Sequence, residues 1–191
     1  MSLYQKIENY IPVNEQETID QKLVLEFMKS YSDCLDRTNL VGHLTTSIWT
    51  VNKERTKTLM VYHNIYDSWS WIGGHADGEE KLSEVAMREL QEETGVKNAR
   101  LVSEDIFSLE VLPVSGHEKK GKYVPSHLHL NITYLAEANE NEDLTVNVDE
   151  NKGVKWFAFD EALQASKEEW FVDRIYKKLI KKVRELDNGA K

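Results

Sequence analysis

The sequence predicts an α/β fold, because helical and strand-like patterns alternate along its 191 residues. Apolar residues recur at helical spacing in three segments, at 14–31, 83–94 and 167–186. Runs rich in β-branched and apolar residues predict strands at 44–51, 57–62, 69–72, 100–113, 127–137 and 154–159. We therefore expect a sheet flanked by helices, preceded by an N-terminal helix.

Each helix has its own supporting signals. In the first, Ile19, Leu23 and Phe27 lie on one side. The second stops at Gly95, since glycine most easily adopts the left-handed conformation that ends a helix. The third has acidic residues at its start and lysines near its end, which suits the helix macrodipole.

The strands are separated by turn and loop signals. The polar stretch 52–55 predicts a hairpin between the first two strands. Gly73 and Gly74 end the strand at 69–72, and a polar, glycine-containing loop at 115–124 separates two later strands.

Composition excludes several classes of protein. With 40% hydrophobic and 30% charged residues, and only 9 Gly and 3 Pro, the chain is neither collagen-like nor disordered. No apolar run is long enough to span a membrane, and the first residues lack the pattern of a signal peptide, so we expect a cytoplasmic protein without a membrane partner. A net charge of −9 disfavours nucleic acid as a partner.

One motif carries the chemistry. Residues 73–96 read GGHADGEEKLSEVAMRELQEETGV, in which Gly74, five residues, Glu80 and seven further residues precede RELQEETGV. This spacing fits the Nudix box at every specified position, and the chain therefore resembles the Nudix hydrolases. A chance match is on the order of one in a million for a chain of this size.

The residues themselves support a metal site. Glu89, Glu92 and Glu93 stand at i, i+3 and i+4, so their carboxylates crowd onto one helical face and repel one another unless a cation neutralises them. Such oxygen ligands suit Mg²⁺, with Mn²⁺ as a substitute. From spacing alone, a solvent-facing acidic helix would be the favoured explanation, and the rest of the motif reverses that preference. Arg88 could hold Glu92 in a bidentate pair or form a plain surface salt bridge.

The resemblance implies the Nudix α/β/α sandwich with a mixed β-sheet, spanning 41–191 and including the C-terminal helix, with 1–40 as an N-terminal helical extension. It implies that Glu89, Glu92 and Glu93 bind the metal, with the Gly74 carbonyl, and that Glu80 supports it. It also implies Mg²⁺-dependent hydrolysis of a nucleoside diphosphate linked to another moiety, of the ADP-ribose, nucleotide-sugar or nucleoside triphosphate type.

Residues outside the helix could complete the site. Members of the family often add a glutamate from a later loop, and Glu150 is the best candidate for a catalytic base, with Glu140 and Glu142 as rivals; solvated carboxylates are the alternative. Trp71 could stack on a base or pack in the core.

Three histidines are also candidates for binding substrate. His127 and His129 alternate on one strand and point to the same face, and His75 follows the glycine pair. They could contact a substrate phosphate or a second metal, or be hydrogen-bonded surface groups.

Two other functions stay open. A ligand-sensing module without catalysis usually has a damaged motif or an attached DNA-binding domain, and neither is present in this sequence. A prenyl diphosphate isomerase would need a catalytic cysteine, whereas the single cysteine, Cys34, precedes the predicted sheet. The apolar stripe of the N-terminal helix could also dock on a second copy to form a homodimer.

Overall fold

The computed structural model describes residues 1–119 and 121–189. Its helices are α1 (Leu3–Asn9), α2 (Glu15–Ser30), α3 (Leu82–Thr94), α4 (Phe159–Ala165), α5 (Glu169–Phe171), a π-helical segment (Val172–Tyr176) and α6 (Lys177–Gly189). Its strands are β1 (Gly42–Val51), β2 (Lys57–His63), β3 (Ser68–Ser70), β4 (Ile72–His75), β5 (Arg100–Leu101), β6 (Ser108–Val114), β7 (His117–Lys119), β8 (Lys122–Val124), β9 (His127–Glu137) and β10 (Asn151–Ala158).

The fold is α/β with a mixed sheet, as the sequence predicted. The chain divides into two compact units. The first contains the described residues of Met1–Ser47, Gly73–Ala86 and Ser103–Tyr134, and the second contains those of Ile48–Ile72, Met87–Val102 and Leu135–Lys191.

In the first unit, the strands approach one another closely. β6 pairs antiparallel with β9 in the register Ser108↔Thr133 to Val114↔His127. β4 pairs with β1, and a Cβ on Gly73 would lie 2.5 Å from the Thr46 carbonyl oxygen. Only glycine fits at that point without moving the backbone.

The N-terminal helices also belong to the first unit. Ser2 begins α1 with a capping box that includes Gln5, and the Asn14 side chain accepts a hydrogen bond from the Glu17 N–H at the start of α2. α2 then covers β6, where the Val111 N–H donates to Asp20 Oδ2 at 3.1 Å.

A buried polar network lies beneath α2. Glu17 is fully buried and accepts hydrogen bonds from the Tyr10 hydroxyl at 2.7 Å, the Val13 N–H at 2.9 Å and the Ser108 hydroxyl at 2.8 Å. The hydroxyl of Ser108 also contacts Glu110, which accepts from Asn131 Nδ2 at 3.2 Å. Burial, followed by the Glu17 carboxylate, raises the pKa of Tyr10. Protein donors therefore satisfy Glu17, as a buried acid requires.

The second unit has an aromatic core. β2 pairs antiparallel with β10 and with β3. The Trp49 ring stacks on Tyr176 with centroids 5.5 Å apart, and the Tyr176 hydroxyl lies 3.2 Å from Ser70 Oγ. Burial raises the pKa of Tyr176, so this hydroxyl keeps its proton at neutral pH.

Several elements differ from the predictions. The strand expected at 100–113 is two strands, β5 and β6, and the loop expected at 115–124 contains the antiparallel pair β7 and β8. The strand expected at 69–72 is divided between β3 and β4, while α1 and α4 were not predicted. Among the described residues, no helix is both long and apolar enough to cross a membrane.

Candidate functional site

Three acidic side chains lie on the last two turns of α3, in the second unit. Glu92 is exposed, Glu89 is half-buried and Glu93 is only 4% exposed. Ala86 and Leu90 are buried, so the apolar side of this amphipathic helix packs inward. The helix ends at Gly95, where φ is +75° and the Thr145 side chain would lie 2.9 Å from an added Cβ. Glycine is thus required at this end by conformation and by space.

Asn151 positions Glu93. The first residue of β10, it is buried and donates from Nδ2 to Glu93 Oε2 at 2.8 Å. Its own Oδ1 is buried and has no hydrogen-bond partner among the residues described. Glu93 and Asn151 thus place a buried carboxylate next to an unsatisfied amide oxygen, on a helix that also carries Glu89 and Glu92, and oxygen ligands are those a hard divalent cation prefers.

Of the three loop glutamates, Glu150 fits the role of a base best. It is exposed, immediately precedes Asn151, and is held by its backbone, whose carbonyl accepts from the Asn64 N–H at 2.9 Å. Glu140 instead accepts from Asn52 Nδ2 and pairs with Lys57, and the bond to Lys57 lowers its pKa. Glu142 accepts from the Lys97 N–H at 2.6 Å. The rivals therefore have structural partners.

The first half of the motif lies in the first unit. Gly74 is part of β4, and Glu80 is exposed between β4 and α3. Between them, the exposed Asp77 accepts from Arg37 Nε at 2.6 Å, and the hydrogen bond to Arg37 lowers its pKa. The Arg88 side chain, further along in α3, is exposed. Metal-binding and catalytic roles stay predictions for Gly74, Glu80, Arg88, Glu89, Glu92 and Glu93.

Four histidines meet in the first unit. The His43 ring centroid lies 5.0–5.1 Å from those of His75, His127 and His129. His127 Nε2 and His129 Nε2 are 3.2 Å apart, and the rings of His75 and His129 meet edge to face with centroids 5.0 Å apart. The structure thus brings together the three histidines predicted from the sequence and adds His43 on β1.

Burial controls the protonation of this cluster. It lowers the pKa of His129 to about 2, with the neighbouring imidazoles adding to the effect, and it also lowers the pKa of His43. Both rings are therefore neutral at pH 7, in the form that offers a nitrogen lone pair. Direct substrate contact by His75, His127 and His129 stays a prediction, and the neutral ring of His129 is a poor partner for a phosphate.

Trp71 is buried, at 8% exposed, and meets Phe171 and Tyr176 edge to face. Stacking of a base on its indole stays a prediction, and these contacts favour packing instead.

Cys34 is also buried, and burial raises the pKa of its thiol. The side chain is an inert thiol in this structure, which argues against isomerase chemistry.

Sequence reasoning did not identify His43 or Asn151. His43 lies at the start of β1, outside the motif, and no fixed spacing relates it to the other histidines. Asn151 had an indirect signal, because it follows Glu150, the glutamate predicted for that loop.

Comparisons with known proteins address the family and the fold of the chain. The sequence model of the NUDIX domain matches residues 42–179. The bis(5'-nucleosyl)-tetraphosphatase [asymmetrical] of Rattus norvegicus is 33% identical over 96 residues, which are 50% of this chain. The match spans 59% of the length of that relative.

Two solved structures share the fold. A C. elegans Ap4A hydrolase, in a binary complex, has a TM-score of 0.53 and 22% identity, covering 76% of this chain and 98% of that one. A NUDIX-family hydrolase from Clostridium perfringens has a TM-score of 0.50 and 21% identity, covering 75% and 97% of the two chains. The resemblance stated from the Gly74–Val96 motif is confirmed, and the chain belongs to the NUDIX family.

Proposed function

We propose that the chain is a Mg²⁺-dependent pyrophosphohydrolase acting on nucleoside diphosphate derivatives. The observation that carries this proposal is the buried carboxylate of Glu93, oriented by the Asn151 amide at 2.8 Å, on a helix turn that also bears Glu89 and Glu92. Membership of the NUDIX family supports the same activity.

Glu89, Glu92 and Glu93 would hold the cation, with Gly74 contributing its backbone carbonyl and Glu80 supporting the ion. When bound, Mg²⁺ would neutralise phosphate oxygens and lower the pKa of a coordinated water. The chain contributes the placement of the ligands. Asn151 holds Glu93 in one orientation, and Arg88 would restrain Glu92 through a bidentate pair.

Glu150 would act as the general base. Its carboxylate accepts a proton from the attacking water as the oxygen bonds to phosphorus and the P–O–P bridge breaks. Its fixed backbone and exposed side chain suit that role, because a base must reach a substrate that arrives from solvent.

The relatives support a substrate class to test first. A tetraphosphatase acting on bis(5'-nucleosyl) compounds is 33% identical over half of this chain, and the Ap4A hydrolase of C. elegans shares the fold. We therefore propose a dinucleoside polyphosphate as the first substrate to test. ADP-ribose, nucleotide sugars and nucleoside triphosphates belong in the same panel.

A hydrolysis screen with products resolved by chromatography tests the proposal. Wild type and Glu93→Gln are incubated with each substrate, with Mg²⁺ or Mn²⁺ and with a chelator. Glu84→Gln is the matched control, because it removes an exposed carboxylate from the same helix. Among the described contacts, Glu84 pairs only with Lys81, in an i,i+3 bridge. We expect metal-dependent cleavage by wild type and the control, and its loss in Glu93→Gln.

Cleavage that survives in both Glu93→Gln and Glu92→Gln would contradict the metal assignment. Nucleotide binding without any cleavage would favour the alternative, a ligand-sensing NUDIX module. A cytoplasmic location, the lack of nucleic-acid and membrane partners, and a homodimer also stay predictions.

A further inference from the structure

The four-histidine cluster of the first unit has a use that the proposed hydrolysis does not require. Each of His43, His75 and His129 offers a ring nitrogen, and these nitrogens lie within 4.8 Å of one another. Three imidazoles converging from three different strands, β1, β4 and β9, form a pocket of nitrogen donors. We propose that His43, His75 and His129 bind a divalent transition-metal cation of the Zn²⁺ class through their imidazole nitrogens.

The hydrogen bonds of His43 prepare it as a ligand. Its Nδ1 lies 3.4 Å from the Asn39 carbonyl oxygen, which can only accept, so Nδ1 carries the proton. Nε2 is then left with its lone pair, and it is buried without a hydrogen-bond partner among the described residues. A backbone carbonyl that fixes the distal ring nitrogen is the usual support for a metal-binding histidine.

His127 fixes the tautomer of His129 in the same way. Nδ1 of His127 donates to the Pro125 carbonyl oxygen at 2.8 Å, which leaves its Nε2 as an acceptor. Nε2 of His129 then donates to this acceptor, and Nδ1 of His129 keeps a lone pair. His127 is thus a positioning residue.

The donor chemistry selects the ion. Neutral imidazoles suit Zn²⁺ and neighbouring transition metals, whereas Mg²⁺ prefers oxygen. A phosphate would place its negative oxygens against the buried lone pair of His43, which is unfavourable without added protons. A divalent cation is instead attracted to that lone pair. Three protein ligands leave one coordination position open for water or a substrate oxygen.

This site does not depend on the proposed function, because the binding assay needs no substrate. Metal-free wild type is titrated with Zn²⁺ by calorimetry and with Co²⁺ by visible absorption, which reports tetrahedral nitrogen coordination. With excess Mg²⁺ present to occupy the carboxylates of α3, we expect one further Zn²⁺ per chain. Binding should weaken at least tenfold in His129→Ala and in His75→Gln, with a smaller loss in His127→Ala.

Two control variants and a substitution at a half-buried ligand make the test decisive. His117→Ala removes a histidine of β7 whose Nδ1 bonds to its own turn at Ser115, and it should bind Zn²⁺ like wild type. Glu84→Gln, which changes an exposed acid of α3 outside the proposed carboxylate site, should also bind like wild type. His75 is only half-buried, so His75→Gln keeps the test valid if a variant of the buried His43 fails to fold.

Three results would overturn the proposal. One is a folded wild type that binds no Zn²⁺ at micromolar concentration. The second is Zn²⁺ binding lost in Glu93→Gln but kept in the histidine variants. The third is a cluster that binds inorganic phosphate and not Zn²⁺.

Discussion

Both units of this chain bury glutamates, and Glu17 of the first differs from Glu93 of the second in what surrounds it. In the first unit, Glu17 accepts hydrogen bonds from a tyrosine, a backbone amide and a serine. In the second, Glu93 accepts from the Asn151 amide and shares its helix turn with Glu89 and Glu92. Protein donors, among them the Ser108 hydroxyl that lies between Glu17 and the buried Glu110, satisfy Glu17, whereas the acids that share the helix turn of Glu93 call for a cation. Burial alone therefore does not separate a structural glutamate from a functional one.

The strongest test of this contrast is Glu93→Gln. We expect hydrolysis to fall on the order of 10³-fold, equivalent to about 4 kcal/mol of transition-state stabilisation, because an amide is a poor ligand for a hard cation. Thermal unfolding should change little, since the amide can still accept from Asn151. Initial rates and the Tm of the same preparation measure both. A large loss of stability with normal activity would reverse the assignment.

Glu17→Ala should show the opposite pattern. It removes the acceptor of the Val13 N–H and the nearer acceptor of the Tyr10 hydroxyl, and it opens a cavity beneath α2, so we expect a loss of about 3 kcal/mol in the free energy of unfolding. Urea unfolding of this variant and of Glu15→Ala, an exposed acid at the start of the same helix, measures the difference. An equal effect of the two substitutions would show that the network does not stabilise the fold.

Asn151→Ala should lower activity less than Glu93→Gln does. Removing the amide that orients Glu93 should weaken metal-dependent activity about tenfold, through a higher metal requirement rather than a changed substrate KM. Activity measured against Mg²⁺ concentration separates the two effects. An unchanged metal requirement would show that Asn151 supports packing only.

The smallest effect concerns Glu168, in the second unit. Burial raises the pKa of this carboxyl to about 7, and its Oε2 has no hydrogen-bond partner among the described residues. The folded state holds the proton more tightly than the unfolded state, so stability falls as pH rises from about 4 to about 7 and stays reduced above that range. Glu168→Gln should therefore raise Tm slightly at about pH 9 and leave it unchanged at about pH 4. Thermal melts at both pH values measure this effect. An increase in Tm only at about pH 4 would contradict the prediction.

Much of this architecture was predictable from local patterns. The helix at 83–94 and the strand at 127–137 match α3 and β9 closely, because a strong apolar period and a terminal glycine define the first and a long β-rich run the second. The capping box at Ser2 and Gln5 is a readable signal for α1 that composition alone did not reveal.

The three glutamates of α3 were the easiest site residues to predict, because they share one helix. Glu89, Glu92 and Glu93 have a fixed spacing, so their common face follows from the helical period. His43 and Asn151 come to their partners through strand pairing and loop closure, and sequence separation carries no sign of that approach. The division of 100–113 into β5 and β6 has the same cause, since both pair with β9 at different places along it.

The position of α2 over β6 has a consequence for handling the protein. The Val111 N–H donates to the Asp20 side chain instead of to another strand. Without residues 1–40, that amide and the apolar side chains beneath α2 would face water, and β6 would present an unprotected edge to other molecules. A variant that lacks residues 1–40 but keeps α6 is therefore expected to self-associate in proportion to its concentration, while the full chain does so less.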